Sequence, residues 1–515
     1  MQKYILAHDL GTGGNKAVLY SSEGELISKA FKSFDTYYPY SGWAEHNPQD
    51  WWEAVIESTK KLLAATEINK KNIVCISLSG HSMGIVPVDK EGNLLRKTVP
   101  LWNDSRAIDK AREILKLIGY DYWYEKTGAG FRPENHSIFK LAWFKENETD
   151  MFNSTYKFLP TKGFITLKLT GNFISDYSDA SFSGLMDINE LKYSEEIFNL
   201  SGLPVEKMPV LLKSVDYAGE LTKEASELLG IPSGIAVING GVDNACTAIG
   251  AGNIKENRIY NYIGSSSWIA ATSAKPIINS KIKIPCYAHS IPNLYLSQVS
   301  VFSTGSTLQW YKDVFCDKEN LQAKKSDGNV YSMIEKNASD SPVGSNNIIF
   351  IPSFRGGATV SPNSYLRGAF LGLELSHNKN DINRAVLEGI SFELALALKE
   401  YINLGMKSKD IRITGGGSKS KFWRQMLADV FGIDTILTSI DQEAAAFGAA
   451  AIGAVGTGIW KDFSIVDEIV KQVDVSKPDK QNVKVYKEIL HKFKYAMDKV
   501  GEINEFFLDN RNTFK

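Results

Sequence analysis

The chain opens with two short apolar runs separated by a polar, glycine-rich break. The first run ends at Asp9, the second begins at Ala17, and Gly11, Gly13 and Gly14 lie between them. Two runs of strand length around such a break predict a β-hairpin. Because glycines let backbone N–H groups face a ligand, the turn can hold phosphate oxygens and Asp9 can hold a cation, although a plain hairpin turn fits the pattern as well.

The same break excludes two common phosphate-binding loops. A dinucleotide fingerprint opens a helix after its glycines, and a P-loop continues into Gly-Lys-Ser or Gly-Lys-Thr. Here the glycines lead directly into a second strand-like run, Ala17 to Tyr20. Neither Rossmann nor Walker chemistry is therefore predicted.

Strand and helix patterns alternate after this hairpin, as is typical of an α/β protein. Residues 25–34 form a third strand-like run, and Asn47 and Pro48 suit the N-cap and first position of a helix that ends near residue 66. Residues 138–145 also carry a helical pattern. Residues 175–179, rich in serine and aspartate, are predicted to form a loop.

Two apolar strands are predicted to end in polar residues that could form a binding site. Residues 72–78 lead to His81, Ser82 and Met83, and residues 235–239 lead to Asp243 at the start of a small-residue helix. Polar residues where a strand meets a helix commonly face a cleft. For His81 and Met83, core packing explains the pattern as well as ligand contact does, and for Asp243 a helix cap is the simpler local explanation.

The opening pattern recurs in the second half of the chain. Residues 258–271 consist of two apolar runs around Gly264, Ser265, Ser266 and Ser267. One such hairpin in each half predicts a duplicated domain with both turns facing a shared cleft, although two unrelated hairpins would give the same pattern.

The remaining strong patterns are helical. Residues 381–404 have a wide apolar face with helical period, and a strand at 411–414 ends in three glycines before a helix at 421–430. Residues 443–454 form a small-residue helix suited to close packing, and the amphipathic tail at 485–500 is predicted to pack back on the protein.

Composition adds bounds but no chemistry. A chain of 515 residues exceeds the size at which one core keeps growing, so two domains are expected, with ligands between them. The 58 basic and 59 acidic side chains nearly balance, which argues against a nucleic-acid or membrane partner. No run approaches the roughly 18 apolar residues of a membrane span and no leader pattern opens the chain, so a cytoplasmic location is expected. The separated cysteines are predicted to be buried thiols: Cys75, Cys246, Cys286 and Cys316.

An ordered set of motifs across nearly the whole chain resembles the FGGY family of carbohydrate kinases. The motifs are DLGTGGNKAVLY, LWNDSRA, GGVDNACTAIGAG, YIGSSSW, TGSTLQW, RAVLEGISFEL, GGGSKSKFWRQMLADV and EAAAFGAAAIGA. The resemblance implies two actin-like (ribonuclease H-like) α/β domains, each a mixed β-sheet flanked by helices, with the active site in the cleft between them. Residues 1–252 would bind mainly the sugar, and residues 253–515 mainly ATP.

The resemblance also implies roles for single residues. Asp243 would be the general base, and Asp9 would help to position Mg²⁺. A helix N-terminus beside Asp243 is expected to keep it ionised, as a base must be. The implied ATP contacts lie in four places. Thr12 and Gly13 would form the first phosphate turn, and Gly264, Ser265 and Ser266 the second. Gly305 and Gln309 would belong to a nucleotide-contacting helix, and Gly416 and Ser420 to the adenosine site. The implied substrate contacts, besides Asp243, are His81, Ser82, Met83, Trp102, Asp104 and Asn244.

The substrate is the least determined part of this expectation. LWNDSR, SDYSDASFSG and FWRQMLAD resemble the xylulokinase branch, whereas FSTGSTLQWYKDVF and GGGSKSK look closer to autoinducer-2 kinases. Xylulokinases usually carry Gly-Gln-Met-His-Gly where this chain has Gly80-His81-Ser82-Met83-Gly84. The altered loop predicts that D-xylulose is used less efficiently than another sugar or polyol, and that His81 matters more than Met83.

The expected activity is the ATP-dependent, Mg²⁺-requiring phosphorylation of a hydroxyl of a small sugar, with the ketopentose D-xylulose as the first candidate. Another polyol, a sugar acid or an autoinducer-2-like compound is the alternative within the class. An actin-like ATP-binding signalling protein or a sugar-sensing pseudokinase is the alternative from another class, and the retained Asp243 argues against both. The family pattern also leaves room for a homodimer.

Overall fold

The computed structural model forms two compact α/β units. It describes residues 2–130, 132–326, 328–357, 359–361, 363–440 and 443–509, so Met1 and residues 510–515, at the outer ends of the two predicted domains, lie outside the described residues. The first unit comprises Met1–Glu256, Thr272–Ser297 and Glu443–Val470. The second comprises Asn257–Ala271, Gln298–Gln442 and Lys471–Lys515. A division of the family's two domains at residues 252 and 253 stays a prediction.

The structure contains the strands predicted from the apolar runs, together with further strands that these runs did not indicate. In chain order they are β1 (Tyr4–Gly11), β2 (Gly14–Ser21), β3 (Leu26–Ser33), β4 (Glu45–His46), β5 (Ile73–Gly80), β6 (Val86–Val88), β7 (Val99–Pro100), β8 (Lys157–Leu159), β9 (Ile174–Asp176), β10 (Met186–Asp187), β11 (Lys192–Tyr193), β12 (Val210–Leu212), β13 (Tyr217–Glu220), β14 (Ala236–Val242), β15 (Ile259–Ile263), β16 (Ser267–Ser273), β17 (Cys286–Ala288), β18 (Tyr295–Val301), β19 (Ile349–Ile351), β20 (Ala369–Leu371), β21 (Asp410–Thr414), β22 (Asp434–Thr438) and β23 (Gln472–Ser476).

Helices connect the strands and flank the sheets. In chain order they are α1 (Pro48–Ala64), α2 (Ile108–Ile118), α3 (Tyr120–Thr127), α4 (Ser137–Asn147), α5 (Thr149–Ser154), α6 (Thr161–Thr170), α7 (Tyr177–Phe182), α8 (Glu195–Leu200), α9 (Lys223–Leu229), α10 (Asp243–Gly250), α11 (Gly305–Phe315), α12 (Asp317–Ser326), α13 (Val330–Ser339), α14 (Lys379–Asn403), α15 (Lys421–Phe431), α16 (Ala444–Gly456), α17 (Ile465–Ile469) and α18 (Lys480–Asp509). Among the described residues, none of these helices is long and apolar enough to cross a bilayer.

The sheet of the first unit has the strand order β13-β14-β5-β1-β2-β3. The predicted hairpin is confirmed, because β1 pairs antiparallel with β2, and Asp9 lies opposite Lys16. β5 pairs parallel with both β1 and β14, so that Ser79 lies between Asp9 on one side and Gly241 on the other. The carboxyl ends of these three strands therefore meet at one edge of the sheet.

The sheet of the second unit has the order β17-β18-β16-β15-β21-β22-β23. Its opening hairpin, β15 and β16, is antiparallel as predicted, and β15 pairs parallel with β21 and β21 with β22. Both sheets thus place a hairpin beside two parallel strands and an antiparallel outer strand. The shared order supports the predicted duplication.

Close packing of small residues joins α16 to the first unit. A Cβ atom at Gly448 would lie 2.0 Å from the carbonyl oxygen of Cys246 in α10, and one at Gly250 would lie 2.1 Å from that of Ala444. The ring of Phe447 contacts that of Tyr20 edge to face at 5.6 Å. The small-residue pattern at 443–454 therefore predicted a close helix pair correctly.

The segment 175–179 differs from its sequence prediction. Instead of a loop it contains the end of β9 and the first turns of α7, and Asp176 is the N-cap of that helix. The Asp176 carboxylate accepts a hydrogen bond from the backbone N–H of Ser178 at 2.9 Å. Serine and aspartate are favoured both in loops and at helix starts, which explains the error.

Candidate active site

The edge at which β1, β5 and β14 end brings together much of the predicted sugar and metal site. Asp9 lies near the end of β1, the segment from His81 to Met83 follows β5, and Asp243 follows β14 as the first residue of α10. Parallel strands end at the same edge of a sheet, so residues far apart in sequence become neighbours there. All of these residues belong to the first unit.

Asp9 is held by groups from both neighbouring strands. The Ser79 hydroxyl donates a hydrogen bond to Oδ1 of Asp9 at 2.9 Å. Burial raises the pKa of Asp9, while this hydrogen bond and the charge of Lys16 act in the opposite direction. The carboxyl thus lies in a site where an added positive charge would favour its ionised form.

Asp243 does not cap α10 in the usual way. Val242 is the N-cap, and Oδ1 of Asp243 accepts a hydrogen bond from the N–H of the next residue, Asn244, at 2.8 Å. Burial, and after it the negative charge of Asp9, raise the pKa of Asp243 to about 7. Burial and like charge thus oppose the backbone donors of the helix N-terminus, and the expectation that Asp243 is kept ionised stays a prediction.

The donors at this edge fit Mg²⁺. Mg²⁺ prefers oxygen ligands and is usually held by one or two carboxylates together with waters and substrate phosphates. Asp9 supplies such oxygens, and its pKa is raised by burial, which a cation would reverse. Within the described part of the chain, no group of three or more histidine, cysteine or acidic residues forms an all-protein metal site.

The first phosphate turn contacts a predicted sugar residue. Thr12 and Gly13 form the turn between β1 and β2, and Gly13 has open space around its Cα. The indole Nε1 of Trp102 donates a hydrogen bond to the hydroxyl oxygen of Thr12 at 3.1 Å, and Trp102 is 41% exposed. The structure therefore joins the two predicted subsites within the first unit.

The residues of the segment after β5 differ in their burial. His81 is buried, and its ring packs edge to face against Trp51 at 5.4 Å and against His46 at 5.8 Å. Burial lowers the pKa of His81 to about 3, so the ring is neutral. Ser82 is buried and Met83 is half-buried with a left-handed backbone, φ 61°. Contact of these residues with a sugar stays a prediction.

Asp104 is fully engaged with protein groups. Its Oδ1 accepts from the Nε of Arg106 at 2.8 Å, and its Oδ2 accepts from Nη2 of Arg106 at 2.7 Å and from the N–H of Ala44 at 2.8 Å. Arg106 also pairs with Glu45 and lies 3.7 Å from the ring centroid of Trp43. Asp104 therefore anchors a buried charge network, and its predicted contact with substrate stays a prediction.

The second unit contains the other predicted nucleotide residues. Gly264, Ser265 and Ser266 follow β15, and α11 begins against this turn, since the N–H of Gly305 donates to the carbonyl of Gly264 at 3.0 Å. A Cβ atom at residue 305 would lie 2.3 Å from that carbonyl oxygen, so the close approach requires glycine. The turn and the helix start thus form one compact feature.

The predicted adenosine residues lie at the neighbouring strand end. β21 pairs parallel with β15, so Gly416, which follows β21, lies at the same edge as the Gly264 turn. Gly416 and Gln309 are exposed, and Ser420 is the N-cap of α15, with its hydroxyl accepting from the N–H of Trp423 at 2.9 Å. Their contacts with nucleotide stay predictions.

Comparison with known sequences decides the family. A profile of the FGGY family of carbohydrate kinases, N-terminal domain, matches residues 4–250, and the profile of the C-terminal domain matches residues 259–457. The chain belongs to the FGGY family of carbohydrate kinases. It is accordingly a sugar kinase, a phosphotransferase with an alcohol group as acceptor, as the motifs predicted.

Relatives within the FGGY family match over almost the full length. A xylulose kinase from Staphylococcus epidermidis is 30% identical over 492 residues, which are 95% of this chain and 95% of that protein. The structure resembles a ligand-bound xylulose kinase from Lactobacillus acidophilus (TM-score 0.89) and a gluconate kinase from Lactobacillus acidophilus (TM-score 0.90). Each is 25% identical, and each match covers 98% of this chain and 100% of the other. The predicted two-domain α/β fold with mixed sheets is confirmed.

Sequence reasoning missed the buried charges beneath this FGGY site. Lys162 pairs with Asp176 at 3.0 Å and donates to the carbonyl of Asn239 at 3.0 Å, and Asp179 nearby has a pKa raised by burial. Lys140 is likewise fully buried. A charged residue inside an apolar run, as in Ser137-Ile138-Phe139-Lys140-Leu141, is a signal that could have identified it.

Proposed function

We propose that this FGGY kinase transfers the γ-phosphoryl group of ATP to a hydroxyl of a small sugar, with Asp243 as the general base. The observation that carries the proposal is the setting of Asp243 beside Asp9 at the strand edge, where its pKa is raised to about 7. A base with a pKa near the working pH combines ready ionisation with a useful affinity for a proton.

Each nearby residue has a part in this reaction. Asp243 accepts the proton of the sugar hydroxyl while the oxygen of that hydroxyl forms a bond to the γ-phosphorus of ATP. The bond between the γ-phosphorus and the oxygen that bridges it to the β-phosphate breaks, and ADP is released. The turn at Thr12 and Gly13 would hold phosphate oxygens through its backbone, and Asp9 would hold Mg²⁺. When bound, Mg²⁺ neutralises charge that develops on the phosphate oxygens.

For the acceptor we propose a small sugar with a ketopentose, D-xylulose, as the first candidate. The similarity to xylulose kinases supports this choice. A sugar acid is the second candidate, since a gluconate kinase structure is as similar in fold. The segment from His81 to Met83, which departs from the xylulokinase pattern, favours a substrate other than D-xylulose.

An acceptor panel tests the proposal. ADP release is measured with Mg²⁺ and ATP, without acceptor and with D-xylulose, L-xylulose, ribuloses, fuculose, gluconate, erythritol and the autoinducer-2 precursor. We expect at least one acceptor to raise turnover 100-fold or more over the rate without acceptor. If no acceptor accelerates ADP release, the proposed function is wrong and an actin-like ATP-binding protein becomes the better explanation.

A further inference from the structure

Lys140 of α4 is a buried lysine whose ammonium group donates hydrogen bonds to backbone carbonyl oxygens. Its side chain is fully buried, and Nζ donates hydrogen bonds to the carbonyl oxygen of Met83, at 3.2 Å, and to that of Leu101. Among the described residues, no carboxylate lies within ion-pairing distance of this nitrogen. The lysine is thus hydrogen-bonded to two segments of the chain that are separate in sequence.

Such a lysine carries a cost that calls for a compensating role. Burial lowers the pKa of Lys140 to about 7, with the charges of Asp104 and Arg106 acting in opposite directions. Buried lysines are rare, because a charge removed from water is costly unless it is paired or hydrogen-bonded. Packing alone therefore does not explain why an amine lies here.

Both segments that Lys140 joins carry predicted substrate contacts. Met83 belongs to the segment after β5 and has a left-handed backbone, φ 61°, which is unfavourable for a residue other than glycine. Leu101 directly precedes Trp102, whose indole reaches Thr12 in the phosphate turn. A strained conformation persists only where its surroundings enforce it, and the bond to the Met83 carbonyl does so.

We propose that Lys140 is a positioning residue that ties the Met83 and Leu101 segments together and so fixes the shape of the acceptor pocket. Lys140 itself is fully buried and acts through these two segments. The inference rests on the proposed function for its kinetic test, but its structural test does not depend on catalysis.

The chain offers a matched control. Lys157 also donates to two backbone carbonyls, those of Glu206 and Met208, at 2.6 and 2.9 Å, but these belong to neither acceptor segment. We compare Lys140→Met with Lys157→Met. For Lys140→Met we expect the KM of the preferred acceptor to rise roughly 5- to 50-fold, because two buried hydrogen bonds to a charged donor are lost. The KM of ATP should change less than twofold, and Lys157→Met should change neither.

Hydrogen exchange of the ligand-free protein is the readout that requires no activity. Peptides covering residues 80–84 and 100–104 should exchange at least tenfold faster in Lys140→Met, with little change in Lys157→Met. If Lys140→Met does not fold, Lys140→Leu replaces it, because this side chain is also apolar and likewise removes both hydrogen bonds. Unchanged exchange in both peptides, or equal increases in the KM of acceptor and of ATP, would overturn the inference. An acceptor panel that is negative for the wild type, with exchange still faster in the variant, would instead contradict only the proposed function.

Discussion

Asp243 illustrates how four local effects compete for one proton. The backbone N–H of Asn244 and the start of α10 favour the carboxylate, whereas burial and the charge of Asp9 favour the neutral acid. Burial and the charge of Asp9 prevail, which leaves the pKa of Asp243 near neutral pH. A base that is easily protonated suits a reaction in which it must accept a proton and release it in every turnover.

Asp243→Asn is expected to lower turnover on the preferred acceptor about 10²- to 10⁴-fold, because the amide cannot accept the hydroxyl proton. The KM of ATP should stay within about twofold. Asp109→Asn is the control, since Asp109 also lies in the first turn of a helix but is exposed. Initial rates at saturating acceptor decide the question, and a variant that keeps a third of wild-type turnover would return Asp243 to a purely structural role.

The raised pKa of Asp243 also predicts a pH profile. Because the base must be ionised, kcat/KM for the acceptor should fall as the pH drops through the pKa of Asp243, which is about 7 without a cation and lower with Mg²⁺ bound nearby. The negative charge of Asp9 contributes to this value, so Asp9→Asn should move the acidic limb to lower pH even though it reduces the rate and raises the Mg²⁺ requirement. Profiles from pH 5 to 9 test this, and an unmoved limb in Asp9→Asn would show that the two carboxyls act independently.

At the scale of the element, α14 is fixed by one buried carboxylate. Glu388 accepts hydrogen bonds from the backbone N–H of Gly344 at 3.0 Å, from Nε of Arg384 at 2.7 Å and from the hydroxyl of Tyr486 at 2.7 Å. These partners come from the loop before β19, from α14 itself and from α18. The carboxylate therefore joins three parts of the second unit.

Glu388→Ala is expected to destabilise the protein by about 3–5 kcal/mol, because the buried Arg384 loses its charged partner. Lys399→Ala on the same helix is the control, since that side chain is exposed, and we expect less than about 0.5 kcal/mol for it. Calorimetric unfolding of both variants measures the difference. Equal melting temperatures for the two variants would mean that the network contributes no net stability.

The contact between α11 and the second glycine turn predicts a selective defect in nucleotide binding. A Cβ atom in Gly305→Ala would lie 2.3 Å from the carbonyl oxygen of Gly264, so the helix must move away from the turn. Overpacking of this kind costs about 1–3 kcal/mol, which corresponds to roughly 5- to 150-fold in the KM of ATP. The KM of the acceptor serves as the internal control. A larger effect on the acceptor than on ATP would contradict the placement of nucleotide at this turn.

The success of sequence reasoning differed between elements for physical reasons. The hairpins at β1–β2 and β15–β16 could be predicted because a glycine-rich break between apolar runs has one favoured structure. The start of α7 could not, since Asp176 suits a loop as well as an N-cap. Asp9 and Asp243 could be proposed because each comes at the end of an apolar run, whereas the bond of Asp104 to the N–H of Ala44 and that of Lys140 to the Met83 carbonyl join residues far apart in sequence.

At the scale of the whole molecule, the two sheets repeat one plan. In each sheet a hairpin lies beside two parallel strands, which are followed by an antiparallel outer strand. The corresponding strands of the two sheets are separated by different numbers of residues along the chain. Each unit thus presents a glycine-bearing turn at the carboxyl end of its first strand. A duplicated plan explains why one motif pattern appears twice in the sequence.

The first unit is not continuous in sequence, which predicts the behaviour of a fragment. Residues 1–256 alone lack α16, so the apolar surface of α10 and Tyr20 that contacts Gly448 and Phe447 would be exposed to water. We expect this fragment to aggregate or to bind a hydrophobic dye. Joining residues 443–470 to it by a flexible linker should reduce dye binding and aggregation. A well-folded, soluble 1–256 fragment would show that α16 is dispensable.

The late position of α16 also affects how the protein is made. The ribosome adds about 190 residues between Glu256 and Glu443, which takes roughly 10–40 s at ~5–20 residues per second. Throughout that time the emerging amino-terminal half has its sheet but lacks the helix that covers α10. The nascent chain must therefore wait, with an apolar face uncovered, for a segment that is still to be translated. Chaperones that bind exposed apolar surface could therefore bind this intermediate before translation of the kinase is complete.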